Sequence, residues 1–171
     1  MRLVEGRAEI DDLDAFLDRF GEIGERFDCA IQAFDADYVV GEDHLRAAAE
    51  RADRAFDREE NVARERAVEM LLYAAGRRQI KRALRMGVAE GEHPVVAVVH
   101  SPTGDDAAER EGASAVRDLL DAADSDAASA DRIDTEAVRE FFDVTEAELG
   151  ATDATLADLV RERVALLDVE K

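Results

Sequence analysis

Residues 94–99, PVVAVV, are apolar at every position. A strand apolar on both faces must be covered on both, so this run demands a sheet with helices packed around it. Two more strand candidates accompany it. Leu3 and Val4 open a short one, and residues 29–34 (CAIQAF) form a nearly continuous apolar run that reads as a buried strand.

Helical patterns fill the spaces between. Asp11 or Asp12 can cap a helix whose Leu13, Phe16, Leu17, Phe20 and Ile23 follow core-facing spacing. Residues 42–56 are alanine-rich, with Leu45, Ala48, Ala49, Ala52 and Phe56 on one face that lets another helix come close. Asn61 is a good cap for a helix over 62–75 that turns Val68, Leu71, Leu72 and Ala75 inward. Gly76 interrupts it, and residues 77–86 read as a second, short helix closed by Gly87. A helix over 107–120 follows the strand at 94–99. Residues 121–131 (DAADSDAASAD) read as an acidic, solvated Ala/Asp/Ser-rich loop. Two helical pieces surround Phe141 and Phe142. The last helix, 153–167, carries Leu156, Leu159, Val160, Val164 and Leu167 as one stripe. The expectation is an α+β fold: a single domain, 1–171, with a small central sheet of three or four strands, antiparallel or mixed, flanked by several helices.

Charge narrows the class of protein. A formal net charge of −20 comes from 42 acids and 22 bases, and the only lysines are Lys81 and Lys171. An acidic surface with arginine in place of lysine suits a salt-saturated cytoplasm, where carboxylates hold water and counterions. Most of the acids are therefore read as solvating groups. Cys29 is the single cysteine, so an internal disulfide and a thiolate metal cluster are excluded. No apolar run approaches a membrane span, and the charged start of the chain is unlike a signal peptide. A cytoplasmic protein without a membrane partner is expected.

Against that background, residues 64–85 hold seven bases and two acids. On an ideal helix Arg78, Lys81, Arg82 and Arg85 share one face, while Ile80 and Leu84 point the other way, toward the core. Arginine forks grip phosphate in two-point fashion, and Asn61 and Gln79 can add neutral hydrogen bonds. The alternatives are arginines paired with the abundant carboxylates, or a surface that docks an acidic protein. At molar salt the screening length is roughly 3 Å, so an RNA binder there needs close contacts rather than a diffuse field.

The segment 61–88 (NVARERAVEMLLYAAGRRQIKRALRMGV) resembles the signature of the Cgi-one-two-one family, the TPRKB-like subunit of the KEOPS complex. The matching positions are Glu69, Leu71, Leu72, Tyr73, Ala74, Gly76, Arg78, Gln79, Ile80, Ala83, Gly87 and Val88. His44 with Leu45 and Ala48, Phe34 to Asp37, and the strand at 95–99 are also similar to the family. The resemblance implies an archaeal, non-catalytic subunit. It would bind the kinase-like subunit and tRNA at the 3′ CCA end, and indirectly serve the threonylcarbamoyl-transferase subunit in modifying tRNA. The RNA-facing set is then Arg78 and Gln79 from the motif, His44 lining a pocket for the RNA end, and Asn61, Arg64, Arg77, Lys81 and Arg82 from local charge. Leu156, Leu159, Val160 and Val164 are the expected kinase-subunit contact. A protein-only activator of the kinase-like subunit is the alternative.

Other constellations carry less. His93 and His100 flank the apolar strand without a Cys or His partner at metal spacing and read as strand-end residues. His100, Ser101 and Asp105 are too close in sequence to place a nucleophile, base and orienter. No glycine-rich cofactor motif is present, so neither a cofactor nor catalysis is expected. Cys29 reads as an inert buried thiol and Tyr73 as half-buried packing.

Overall fold

The computed structural model describes residues 1–122 and 133–168. Two compact units form, each drawing on both halves of the chain. One comes from Met1–Ala36 and the described part of Gly87–Ser129, the other from Asp37–Met86 and the described part of Ala130–Lys171.

The first unit holds the sheet. Its strands are β1 (Arg2–Ile10), β2 (Ala30–Asp35), β3 (Gly91–His100) and a two-residue β4 (Asp121–Ala122). They run in the order β2-β3-β1-β4 with every neighbour antiparallel. In β1 the even positions Val4, Gly6, Ala8 and Ile10 are buried, while Glu5 and Glu9 face out, the period of two that sets register. In β3 Val95 to Val99 are all buried, as a run apolar on both faces requires. Helices α1 (Leu13–Phe27) and α5 (Asp106–Arg117) complete the unit. The core joins Val4, Ile10, Phe20, Ile31, Val99 and Val116. Asp12 caps α1 by accepting from the Ala15 amide at 2.9 Å. Gly6 has a steric reason: a Cβ there would stand 2.7 Å from Leu120 Cβ, so β4 could not pair so closely. Residues 123–131 of the acidic loop lie outside the described residues.

The second unit is helical among the described residues. It contains α2 (Glu42–Asp57), α3 (Arg66–Ala74), α4 (Ile80–Ala83), a 3₁₀ turn at Leu84–Met86, α6 (Thr135–Phe141), α7 (Glu146–Gly150) and α8 (Leu156–Leu166). The small face of α2 (Ala48, Ala49, Ala52 and Ala55) is buried, and α2 packs on both α3 and α8. Phe56, expected on that face, is only half-buried and instead carries the Arg66 guanidinium 4.4 Å above its ring. Thr155 and Asp158 form a capping box that starts α8.

The expected α+β class is what forms, with antiparallel strands. The helix expected over 107–120 ends at Arg117 and the one expected over 153–167 starts at Leu156, and two others differ more. The helix expected over 62–75 starts at Arg66, because the buried Glu69 carboxylate takes up the Val62 and Ala63 amides and holds 61–65 out of helical form. The helix expected over 77–86 is one α turn followed by a 3₁₀ turn. Gly76, at φ +59°, closes α3 before it, with the Arg77 amide donating to the Leu72 carbonyl at 3.0 Å.

Candidate nucleic-acid interface

The basic segment divides into cations that are occupied and cations that are not. Arg66 pairs with Asp53 at 2.5 Å. Arg77 donates to the Phe141 carbonyl at 2.8 Å and to Asp143 at 2.6 Å. Arg78 donates to the Leu167 carbonyl at 2.8 Å. Pairing with internal acceptors therefore accounts for these three. The side chains of Arg64, Gln79, Lys81 and Arg82 are exposed and have no hydrogen-bond or ion-pair partner among the described residues. Arg85 is exposed as well, with its guanidinium 5.8 Å from the centre of the Phe141 ring. Lys81, Arg82 and Arg85 lie within one short stretch of α4 and the 3₁₀ turn, ready for an anion.

The orientation of that stretch corrects the helical arithmetic. Ile80 and Leu84, expected to face the core, are 43 % and 55 % exposed, while Ala83 and Met86 are fully buried. The 3₁₀ turn advances about three residues per turn rather than 3.6, so the buried positions follow i, i+3 spacing. Arg78 precedes the helix, in a bend before the extended N-cap Gln79, so it does not share a helical face with Lys81.

Arg64 is presented by a braced loop. Glu69, buried on α3, accepts from the Val62 amide at 3.0 Å and the Ala63 amide at 2.7 Å. The Asn61 amide group donates to the Ala63 carbonyl at 2.8 Å, so Asn61 shapes this loop rather than capping α3. His44 lies in the core of its unit at 1 % exposure. One ring nitrogen lies 2.8 Å from the Ala74 carbonyl and the other accepts from the Val40 amide, with Phe142 edge-on to the ring. Burial lowers its pKa to about 4, so it is neutral and supports α2 against α3. Both nitrogens are committed, and the ring is no part of the exposed surface.

The apolar stripe of α8 is likewise used internally. Leu159, Val160 and Val164 are buried, because α8 packs against α2 along that side. Of the four residues expected to meet a kinase, Leu156 alone keeps partial exposure; Leu166, not expected, is exposed.

The remaining groups are structural. Ser101 Oγ bonds Thr103 Oγ1 at 3.0 Å and accepts from the Asp105 amide at 3.1 Å, and the Asp105 carboxylate caps α5. Ser101 and Asp105 thus build a turn and a helix start, while His100 ends β3 with its ring 3.7 Å from Glu109. His93 sits 3.7 Å from Asp35 and 3.1 Å from the Glu90 carbonyl at the start of β3. Cys29 is buried, and desolvation pushes its thiol up to about 11. Tyr73 is fully buried rather than half-buried, its hydroxyl donating to Asp168. Among the described residues no cluster of His, Cys, Asp or Glu is arranged to hold a metal, and no helix is long and apolar enough to cross a membrane.

Glu69, Asp143 and Asp168 each fix part of this surface, and sequence reading assigned them no such role. Glu69 had a signal: it is the one charge inside the apolar stretch 67–75. Asp143 and Asp168 had none, because they act across 66 and 95 residues of chain.

A family model described as kinase binding protein CGI-121 matches residues 9–168. A comparison with curated proteins finds no match.

Proposed function

The chain belongs to the family described as kinase binding protein CGI-121, and from that premise we propose that it is a non-catalytic subunit that binds a kinase-like partner and tRNA. The RNA contact is the 3′ CCA end, and the process served is threonylcarbamoyladenosine modification by a KEOPS-type complex. The observation that carries the RNA half is the set of exposed cations at Lys81 and Arg82, unpartnered among the described residues, beside Arg85, in a chain of net charge −20. Open arginines elsewhere, such as Arg19, Arg54, Arg58 and Arg117, stand beside acids in the sequence, whereas residues 70–89 hold no acid, so the cations of this stretch are left for a partner outside the chain. Arg64 and Gln79 extend the same open set. Directed guanidinium and ammonium contacts also survive high salt better than a diffuse field.

The kinase contact, where it involves α8, falls to the exposed Leu166 and half-exposed Leu156, since the other apolar residues of the stripe are enclosed.

A tRNA gel shift in molar KCl tests the reading. Intact tRNA should bind, tRNA lacking its CCA end should bind less, and Lys81→Glu with Arg82→Glu should weaken the shift while the chain still captures the kinase-like partner. Equal binding by variant and wild type would refute the RNA contact and favour a protein-only activator.

A further inference from the structure

The end of α8 is fastened by a cluster that the functional reading leaves unused. Asp168 accepts from the Tyr73 hydroxyl at 2.7 Å and pairs with Arg51 through its other oxygen. One residue earlier, the Leu167 carbonyl accepts from Arg78 at 2.8 Å. One turn earlier still, Arg163 Cβ lies only 3.3 Å from where a Cβ on Gly76 would stand, so α8 runs against the Gly76 backbone. Arg163 and Leu167 are four apart and therefore on one side of α8. They meet Gly76 and Arg78, the residues at which the chain leaves α3 for the basic turn. Arg51 on α2 and Tyr73 on α3 anchor the same helix end from behind.

Each contact is of a kind that holds. The Tyr73 side chain is buried, and burial followed by the bond to Asp168 raises its phenol far above its ordinary range, so it stays a donor. Hydrogen bonds to charged partners are the stronger class. A side chain at Gly76 would also meet the Arg163 backbone at 3.5 Å, so the two segments touch without one between them.

We infer that this cluster is a clasp: the Leu167–Asp168 end of α8 holds residues 76–78 and thereby sets the position of Lys81, Arg82 and Arg85. Arg78 is then a positioning residue, not a phosphate ligand. The clasp stands on geometry, and its functional meaning rests on the RNA reading above. Linkage follows from it: a protein that grips this end of α8 and an RNA that grips the turn alter one another's binding by the same factor.

The test uses the full chain with two readouts, hydrogen exchange of peptides covering 77–86 and the tRNA gel shift at fixed KCl. Asp168→Ala removes the acceptor for Tyr73 and Arg51, and Tyr73→Phe removes a single hydroxyl. Asp168→Ala is expected to speed exchange within 77–86 by about tenfold or more, with exchange in α2 unchanged, and to weaken tRNA binding. Tyr73→Phe should move both readouts the same way by less. Lys81→Glu with Arg82→Glu should weaken the shift and leave exchange as in wild type. Unchanged exchange within 77–86 in both Asp168→Ala and Tyr73→Phe overturns the clasp. So does uniform acceleration across the whole unit, since Asp168 would then merely support the fold. A chain whose 77–86 exchange responds as expected but which binds no tRNA keeps the clasp and overturns the RNA reading.

Discussion

Enclosed by the Phe142 ring, the Val40 amide and the Ala74 carbonyl, His44 has no room for a second proton. Desolvation is the main cause of its lowered pKa, Arg161 adds to it, and the bond to Ala74 opposes it. The folded value is about 4 against an ordinary 6.5. Above pH 6.5 both folded and unfolded chains carry a neutral ring and the residue has no pH effect. Between pH 6.5 and 4 the unfolded chain takes up the proton and the folded one does not, so stability falls with pH. From pH 7 to pH 5 the loss should be about 2 kcal/mol. Urea unfolding of wild type and His44→Gln at the two pH values checks this. The variant should lose that much less on acidification, and an equal loss in both would mean that His44 is not the group responsible. The family-like position of His44 was legible in the sequence; its enclosure was not, because Phe142 and Ala74 reach it from 98 and 30 residues away.

At the scale of elements, the long helical patterns were legible and short ones were not, and β1 runs nine residues where a short strand was expected. The strand at 94–99 declared itself because burial on both faces leaves no polar position to misread. The α8 stripe was legible as a helix, since eleven residues give three turns of consistent phase. Which surface it meets was not legible, because an apolar stripe looks alike whether it meets α2 or another protein. The stretch after Gly76 failed for a different reason. Four α residues and a three-residue 3₁₀ turn do not keep a 3.6 period, and a left-handed glycine resets their phase. The reversal of faces yields a paired prediction. Leu84→Ser, on the exposed side, should change stability by no more than about 0.5 kcal/mol. Met86→Ala, on the buried side, should cost about 2–5 kcal/mol. Chemical denaturation of both variants decides it, and the opposite ranking would restore the helical face that periodicity suggested.

For the molecule as a whole, salt should act on folding and on the proposed RNA binding with opposite signs. A net charge of −20 repels itself, and that repulsion is felt most when ions are scarce. The screening length shrinks from about 30 Å at 0.01 M to about 3 Å at 1 M, so added KCl should raise the thermal midpoint steadily across this range. Binding to RNA runs the other way. If Arg64, Lys81, Arg82 and Arg85 each meet one phosphate of a single strand, the log–log dependence of affinity on salt should have a slope of about −3. Lys81→Glu with Arg82→Glu should reduce that slope to about −1.4 while raising the net negative charge and so strengthening the salt dependence of stability. Melting curves and gel shifts over one KCl series measure both in the same samples. A slope much steeper than −3 would mean that further cations join the contact, Arg78 released from Leu167 being the nearest candidate. A flat binding curve would remove phosphate from the account altogether, leaving the open cations to a protein partner.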